Sequence, residues 1–364
     1  MRRGNVYKIN IFMRISKLAL ILSAVALTGA GCFGGVGKTG SADGGVFKTT
    51  NGGTAWTQQT AIVSANGTGS IATTDVLALA MDPQDNQTVY AGTKAAGLLY
   101  SLDGAASWQQ ARNPGLREGA IGAIAVDPTN VCVVYVAKGQ HLFKSSDCLR
   151  SANPDAYVET RTGVTISSLA VDWYDSKVIW IGLSNGDVLK SEDATATWQT
   201  STSSAEKITG ILVSNADSRV VLASTYGGGF YKTVDSGVTW TQIKDGLKDL
   251  KNTAKVAGVA QDKTGGVVVA ATGYGLIRSK DFGSTWEGLQ LLSAPGQVLI
   301  PSVAIDPANA DTIAYAAGST FYRSADGGIK WTTTKIPSLR NPSAILLDPT
   351  DPTVYYLGLV APSK

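Results

Sequence analysis

The sequence predicts an all-β fold, a single seven-bladed β-propeller of four-stranded antiparallel blades, and two observations lead to that prediction. An eight-residue turn, S/T-x-D-x-G-x-x-W, recurs along the chain, as TVDSGVTW at 233–240, SKDFGSTW at 279–286 and SADGGIKW at 324–331. Short apolar runs rich in β-branched residues lie between the turns, whereas helical periodicity is nearly absent. A period near 45 residues indicates one repeated supersecondary unit, and regular four-stranded units of this length form propeller blades.

We call the repeated segment the Asp turn. Looser copies are TTNGGTAW at 49–56, SLDGAASW at 101–108 and SEDATATW at 191–198, and a seventh at 145–148 keeps only the polar half. Its Ser/Thr and Asp side chains can bond to nearby backbone, its Gly permits a conformation that a Cβ opposes, and its Trp is an apolar anchor for the neighbouring unit. One carboxylate per repeat in the same turn favours a structural role. The third-position residues are Asn51, Asp103, Asp147, Asp193, Asp235, Asp281 and Asp326, spaced 52, 44, 46, 42, 46 and 45 apart.

The first complete unit shows the predicted strands, which we name A to D in chain order. They lie at 76–82, 88–93, 97–102 and 107–110, with the Asp turn between C and D. The C-terminus supplies an A and a B strand without an Asp turn, and the N-terminus supplies a C and a D strand without an A or B. Joined in one sheet, they complete a seventh blade and close the ring without open edges.

Residues 1–31 have the layout of a secretory signal. Five basic residues precede an apolar run from Leu18 to Leu27, which is too short to span a bilayer. The ending Gly29-Ala30-Gly31-Cys32 resembles a bacterial lipobox, which implies lipidation of Cys32 and a membrane anchor, although Gly29 stands where that motif usually has Leu. Plain secretion, with cleavage after Ala26 or Ala30, is the alternative.

Charge and composition place the rest of the chain. Removing the five basic residues of the signal leaves 26 Lys and Arg against 28 Asp and Glu, a net charge of −2. Nucleic-acid binding, which needs a basic footprint, is therefore not expected. Residues 32–44, rich in Gly, Lys and Ser, are predicted to form a flexible tether. The propeller is predicted to occupy 45–364 as an exported monomer, with no cofactor and no metal, since the chain has one His and scattered acids.

The unit string A-x-D-P…V-Y-A-G-T…G-L-x-x-S-x-D-G-G-x-T-W resembles the Asp-box, or bacterial neuraminidase repeat, propellers over essentially all of residues 44–360. Members include sialidases, sortilin-type receptors, xyloglucan hydrolases and photosystem II assembly factors. The resemblance is specific for the fold and uninformative about function.

One unit departs from the pattern. Cys132 and Cys148 would lie opposite each other in a hairpin centred on Gln140, which places their Cα atoms within disulfide range. An exported compartment would keep that bond oxidised, and two buried thiols are the alternative. Because this unit lacks the Trp, we predict that Tyr157 takes its place.

Strand direction predicts which loops carry function. The A–B turns and the Asp turns lie on one face, whereas the B–C turns and the D–A connectors lie on the other. The resemblance to Asp-box propellers implies that ligands bind on this second face. Solvated loop charges are the alternative reading for any single residue there. The candidate binding residues on that face are Lys94, Arg112, Arg117, His141, Arg161, Asn185, Tyr226, Tyr274 and Arg340.

Enzymatic activity is the less favoured interpretation. A sialidase would need an Arg motif ahead of the first Asp turn, but no Arg lies between Arg14 and Arg112. In the xyloglucan hydrolases that this chain resembles, there are two such propellers, and each carries one of the two catalytic carboxylates. This chain is predicted to have one propeller. His141 is the single His, so triad catalysis would depend on one loop residue. We therefore predict a non-catalytic, envelope-anchored propeller that binds a protein or a glycan, as an assembly factor or receptor does, with a glycoside hydrolase as the alternative.

Overall fold

The computed structural model describes residues 42–64, 67–244 and 246–362. The predicted signal segment, Cys32 and most of the predicted tether lie outside the described residues. The described residues belong to one compact unit. Their fold is all-β, and the one short helical segment among them is a 3₁₀ turn at Pro114–Leu116.

The described residues form thirty strands. In chain order they are β1 (Val46–Thr49), β2 (Thr57–Gln59), β3 (Ala61–Ser64), β4 (Gly67–Ser70), β5 (Val76–Asp82), β6 (Asp85–Thr93), β7 (Leu98–Ser101), β8 (Gln109–Gln110), β9 (Ala123–Val126), β10 (Val134–Lys138), β11 (His141–Ser145), β12 (Asn153–Val158), β13 (Ile166–Val171), β14 (Ile179–Leu183), β15 (Asp187–Ser191), β16 (Gln199–Ser203), β17 (Ile208–Val213), β18 (Val221–Thr225), β19 (Phe230–Thr233), β20 (Thr241–Ile243), β21 (Val256–Gln261), β22 (Val268–Thr272), β23 (Leu276–Ser279), β24 (Glu287–Gly288), β25 (Val303–Ile305), β26 (Ile313–Ala317), β27 (Thr320–Ser324), β28 (Thr332–Lys335), β29 (Asn341–Leu347) and β30 (Tyr355–Val360).

Seven four-stranded antiparallel sheets form the blades of a propeller, which confirms the predicted fold class. Blades 1 to 6 are β5–β8, β9–β12, β13–β16, β17–β20, β21–β24 and β25–β28, and blade 7 has the strand order β2-β1-β30-β29. A central channel with a volume of about 350 Å³ is lined by the innermost strand A of six blades and, in blade 6, by Pro301 and Ser302 directly before strand A. Strands B and C are largely buried and hold the seven apolar clusters between neighbouring blades.

Ring closure follows the prediction that head and tail share one sheet. Strand β1 pairs antiparallel with β30, with Phe47 opposite Leu357 and Val46 opposite Gly358. This pairing removes both open edges that a linear array would expose.

The Asp turns share one hydrogen-bonding geometry. In blade 4, Thr233 Oγ1 donates to Asp235 Oδ1 at 2.7 Å and accepts from the Gly237 amide at 2.9 Å, while Thr239 donates to the same carboxylate through its amide and its hydroxyl. The fourth and fifth residues of all seven turns have positive φ. Glycine suits the fifth position because a Cβ on Gly237 would lie 2.6 Å from the Trp180 ring.

The turn tryptophans join neighbouring blades, and we call each interface between two blades a seam. Trp240 of blade 4 packs edge-on against Trp180 of blade 3 with ring centroids 6.0 Å apart, and its indole N–H donates to Ser201 Oγ at 2.9 Å. Trp108 and Trp198 likewise donate to backbone carbonyls of the preceding blade. Apolar wedging and an indole hydrogen bond therefore act together at these seams.

Two local features differ from the sequence-based expectation. Strands β3 and β4 form an extra hairpin between blades 7 and 1, which accounts for the longest turn spacing of 52 residues. Tyr157 does not replace the missing Trp of blade 2. It packs edge-on against Trp198, with ring centroids 5.4 Å apart, and so faces blade 3, because its position in β12 directs its ring away from blade 1.

Cys132 and Cys148 are joined by a disulfide, with their Cα atoms 4.0 Å apart.

Candidate functional site

The strand directions sort the loops onto two faces of the ring. We call the face formed by the B–C turns and D–A connectors the connector face, and the opposite one, formed by A–B turns and Asp turns, the Asp-turn face. Rigid strands hold each connector-face loop at both ends, and such loops commonly carry binding residues. Seven of the nine predicted binding residues fall into two sectors on it, and Arg112 and Arg340 belong to neither sector. Charged side chains come from blades 1 to 3 and aromatic ones from blades 4 and 5.

A hydrogen-bonded ion network dominates the polar sector, which comprises Lys94, Arg117, His141, Arg161 and Asn185. The guanidinium of Arg161 donates to both carboxylate oxygens of Glu159 at 2.8 Å and to Asp187 Oδ2 at 2.6 Å. Asn185 donates to the same Asp187 oxygen at 2.8 Å. The structure therefore brings Arg161 and Asn185 together, and Asp187 is the group that joins them.

Both carboxylates of this network remain ionised at neutral pH. Hydrogen bonds from Arg161 are the largest influence on Glu159 and lower its pKa to about 2, although burial opposes the shift. Burial also acts to raise the pKa of Asp187, but hydrogen bonds from Ser203, Asn185 and Arg161 together hold it below its ordinary value. Neither group therefore has the raised pKa that a general acid needs.

The apolar sector comprises Tyr226, Tyr274, Leu292, Leu299 and Leu339. Four of these side chains are open to solvent: Tyr226 is 51% exposed, Leu292 65%, Leu299 74% and Leu339 83%. Several large exposed apolar side chains in neighbouring loops indicate a surface that another molecule covers.

Tyr274 lies between two clefts of the apolar sector. One cleft, of about 330 Å³, is lined by Tyr274 and residues 288–295. The other, of about 310 Å³, lies between Tyr274, Pro295 and Gly296 on one side and Asp249, Lys251 and Asn252 on the other. Both volumes are at the lower end of the range for small-ligand sites, so each suits one side chain or one sugar ring rather than a large cofactor.

The other predicted residues, three of them in the polar sector, make separate local contacts. The Lys94 ammonium lies 3.9 Å from Asp75, His141 lies 3.9 Å from Asp155, and the Arg117 side chain donates to the Ala111 carbonyl. Arg112 lines a groove at the outer edge between blades 1 and 2. Arg340 is 6% exposed and its guanidinium pairs with Asp43 and Asp75, so its contacts belong to ring closure.

Several residues of this face were not predicted from the sequence. Asp187 begins strand β15 directly after Asn185 and Gly186 and resembled another turn former. Leu292 and Leu299 lie in the D–A connector between blades 5 and 6, and their signal was available, because LQLLSAPGQVLI at 289–300 is unusually apolar for a loop.

Within 42–64, 67–244 and 246–362, no group of three or more His, Cys, Asp or Glu side chains is placed to hold a metal ion. Over the same described residues, no helix has the length and apolarity needed to cross a membrane.

Sequence comparisons identify partial relatives. No family model matches the chain. It is 29% identical over 168 residues to a xyloglucanase from Hypocrea jecorina and 30% identical over 172 residues to xyloglucanase Xgh74A from Acetivibrio thermocellus. These matches cover 41% and 42% of this chain but only 20% of each relative, so the chain spans about a fifth of the length of the curated relatives it matches.

Solved structures share the fold. A GH74 xyloglucanase from Xanthomonas campestris superposes with a TM-score of 0.62 at 17% identity, covering 78% of this chain and 51% of that one. YCF48 from Cyanidioschyzon merolae gives 0.59 at 12% identity, covering 78% and 96%, and YCF48 bound to D1 peptide gives 0.60 at 12%, covering 80% and 94%. The extracellular domain of BT4673 from B. thetaiotaomicron gives 0.61 at 15%, covering 83% and 39%. The chain is thus a seven-bladed β-propeller whose fold is similar both to glycan-active enzymes and to a peptide-binding protein.

Proposed function

We propose that this protein is an exported, non-catalytic binding propeller that holds an extended polypeptide segment across the apolar sector of its connector face. One observation carries the proposal. The apolar sector exposes the large side chains of Leu292, Leu299 and Leu339 and contains two clefts that suit single side chains, and Leu292 lines one of these clefts. Exposed apolar anchors around small pockets are the usual energetic centre of a protein interface.

The comparisons agree with this choice. A propeller of similar fold is known bound to a peptide, and this chain covers 94% of it. Export is supported by the secretory layout of residues 1–31 and by the extracellular domain among the similar structures. Attachment to the envelope through a lipid on Cys32, and action as a monomer, complete the proposal.

Carbohydrate binding is the second candidate, and the sequence similarity to xyloglucanases favours it. Tyr226 and Tyr274 could stack on sugar rings as well as they could anchor a peptide. Hydrolysis of a glycan is less favoured, because Arg161 pairs with both Glu159 and Asp187 and neither carboxyl is kept protonated. A glycosidase needs one protonated carboxyl beside one ionised carboxylate.

The test is binding to peptide and glycan arrays, followed by titration of the best ligand, together with hydrolysis assays on fluorogenic glycosides. The variant Tyr226→Ala/Leu299→Asp should weaken peptide binding at least ten-fold. Its control is Val238→Asp/Ile329→Asp, which changes apolar residues of at least the same exposure on the Asp-turn face. Glycan binding lost in the first variant would support the second candidate, turnover would overturn the non-catalytic assignment, and equal effects of both variants would overturn the choice of face.

A further inference from the structure

The residue that precedes each Asp turn follows a rule with one exception. Six blades carry a cation there, and blade 1 carries Tyr100; the six are Lys48, Lys144, Lys190, Lys232, Arg278 and Arg323. The side chain at this position in strand C points into the seam with the next blade, so the exception makes the seam between blades 1 and 2 unlike its neighbours.

Three of the four lysines of this set cross their seams in the same way, whereas Lys232 donates to the Asp281 carbonyl and lies over Phe282 of the next turn. The ammonium groups of Lys48, Lys144 and Lys190 donate to carbonyls of the next Asp turn, at 2.7, 2.8 and 2.9 Å. Each also lies over the aromatic ring opposite it in strand B, 5.2–5.7 Å from the centroid. For Lys48 and Lys144, burial lowers the pKa of the ammonium, and the carboxylate at the end of the same blade's strand A opposes that shift. A carbonyl, an aromatic face and a carboxylate thus make an ammonium site.

The seam between blades 1 and 2 keeps these three elements but lacks the cation. Tyr90 supplies the ring opposite Tyr100, and Cys148 is the turn residue whose counterparts accept from the lysines. Asp82 ends strand A, is 1% exposed, and its Oδ2 is buried without a hydrogen-bond partner among the described residues. The Tyr100 hydroxyl instead donates to Gln109 at 3.0 Å.

The same seam is also open to solvent. Blade 2 has Ala152 where the other six blades have the turn Trp, and a groove of about 370 Å³ lies there. Its wall includes Asp82, Tyr90, Tyr100 and the exposed Leu102. Arg112 and Arg150 line it as well, and over the part of the chain that the structure describes neither guanidinium makes a hydrogen bond or an ion pair.

We propose that this groove, the ammonium groove, binds a primary alkylammonium whose alkyl chain ends in a carboxylate, the chemistry of 6-aminohexanoate, of free lysine and of a lysine at a polypeptide C-terminus. The ammonium takes the place that the lysine Nζ has in other seams and donates to Asp82 and the Cys148 carbonyl. The chain lies along Tyr90 and Tyr100, and the carboxylate faces Arg112 and Arg150. This site is separate from the connector face and does not depend on the function proposed for it.

Calorimetric titration of the propeller with 6-aminohexanoate, hexylamine and hexanoate tests the proposal. We expect 6-aminohexanoate to bind, hexylamine to bind at least ten-fold more weakly, and hexanoate not to bind. Asp82→Asn should weaken binding at least ten-fold. Tyr100→Lys should abolish it, because the new ammonium fills the site from within. Asp127→Asn is the matched control, since Asp127 ends strand A of blade 2, where Lys144 is present.

Thermal melting by circular dichroism shows that each variant is folded, and Tyr100→Lys keeps the test valid if Asp82→Asn does not fold. Titration with free lysine and with peptides that end in Lys carboxylate or Lys amide then distinguishes a small-molecule ligand from a polypeptide C-terminus. If free lysine binds as tightly as the peptide with a Lys carboxylate, the ligand is a small molecule. If the peptide with the carboxylate binds more tightly, the ligand is a chain end. Absence of 6-aminohexanoate binding at millimolar concentration, or binding unchanged in Tyr100→Lys, would overturn the proposal.

Discussion

Two seams of the same ring show how a repeat can be specialised without a change of fold. Between blades 3 and 4, Lys190 donates across the seam to the Ser236 carbonyl and Trp240 packs on Trp180, so the seam is crossed by a cation and an indole. Between blades 1 and 2, both the cation and the tryptophan are absent, and Tyr100 and Ala152 occupy their positions. Strand pairing within the blades is the same in both cases. The backbone ring therefore tolerates loss of the seam contacts, and the loss leaves a groove.

The largest expected effect comes from making the closed seam resemble the open one. Trp240→Ala should lower the free energy of unfolding by about 3 kcal/mol, as is usual when a packed Trp is truncated. Ala152→Gly, at the same position of the open seam, should cost only about 0.5–1 kcal/mol. Denaturant unfolding followed by intrinsic fluorescence measures both. Equal costs would contradict the view that the tryptophan is what distinguishes the two seams.

A reciprocal exchange of Tyr and Lys is expected to have the next largest effect. Lys190→Tyr should destabilise by about 1–2 kcal/mol, because it removes one hydrogen bond and one cation–π contact. Tyr100→Lys should stabilise by about 1 kcal/mol, since the new ammonium can reach the Cys148 carbonyl and the Asp82 carboxylate. Melting temperatures of the two variants should therefore shift in opposite directions. A fall in both would show that Tyr100 has a packing role that lysine cannot fill.

The fifth residue of the Asp turn offers a subtler comparison. Thr195 in blade 3 and Leu149 in blade 2 both have positive φ, 84° and 62°. Thr195→Gly should stabilise by about 1 kcal/mol through relief of backbone strain. Leu149→Gly should destabilise by about 1 kcal/mol in spite of the same relief, because Leu149 is buried in the cluster of the open seam. Equilibrium unfolding of both variants gives the sign of each change in the free energy of unfolding. Stabilisation in both would mean that Leu149 does not compensate by its burial for the missing tryptophan.

Acid should not distinguish the two seams. In blade 4, hydrogen bonds from Thr239 and Thr233 lower the pKa of Asp235 to about 2, and in blade 2 hydrogen bonds from Ser151 and Ser145 lower the pKa of Asp147. A carboxyl with a depressed folded-state pKa stabilises fully above its ordinary value, and the contribution is lost as pH falls toward the folded-state value. Stability should therefore decline between about pH 4 and pH 2. Asp147→Asn and Asp235→Asn should both flatten this decline in a pH series of melting curves.

Much of the architecture could be predicted because local chemistry repeats. Seven Asp turns with a near-constant period gave the number of blades, and complementary half-blades at the two ends predicted the pairing of β1 with β30. The β3–β4 hairpin could not be predicted, since AIVSANGTGS at 61–70 resembles a linker between turns. The face on which most of the candidate residues lie followed from strand direction alone.

The sequence by itself determined the repeat, the turn chemistry, the blade number and the face on which each loop lies, because these depend on contacts between residues close in the chain. Only the tertiary structure decided which residues meet across the ring. It buried Arg340 between Asp43 and Asp75, it turned Tyr157 toward Trp198, and it placed Asp82 beside a tyrosine where the other blades supply a lysine or an arginine. Such pairings depend on register and on the packing of one blade against the next, and no spacing within a single repeat encodes them.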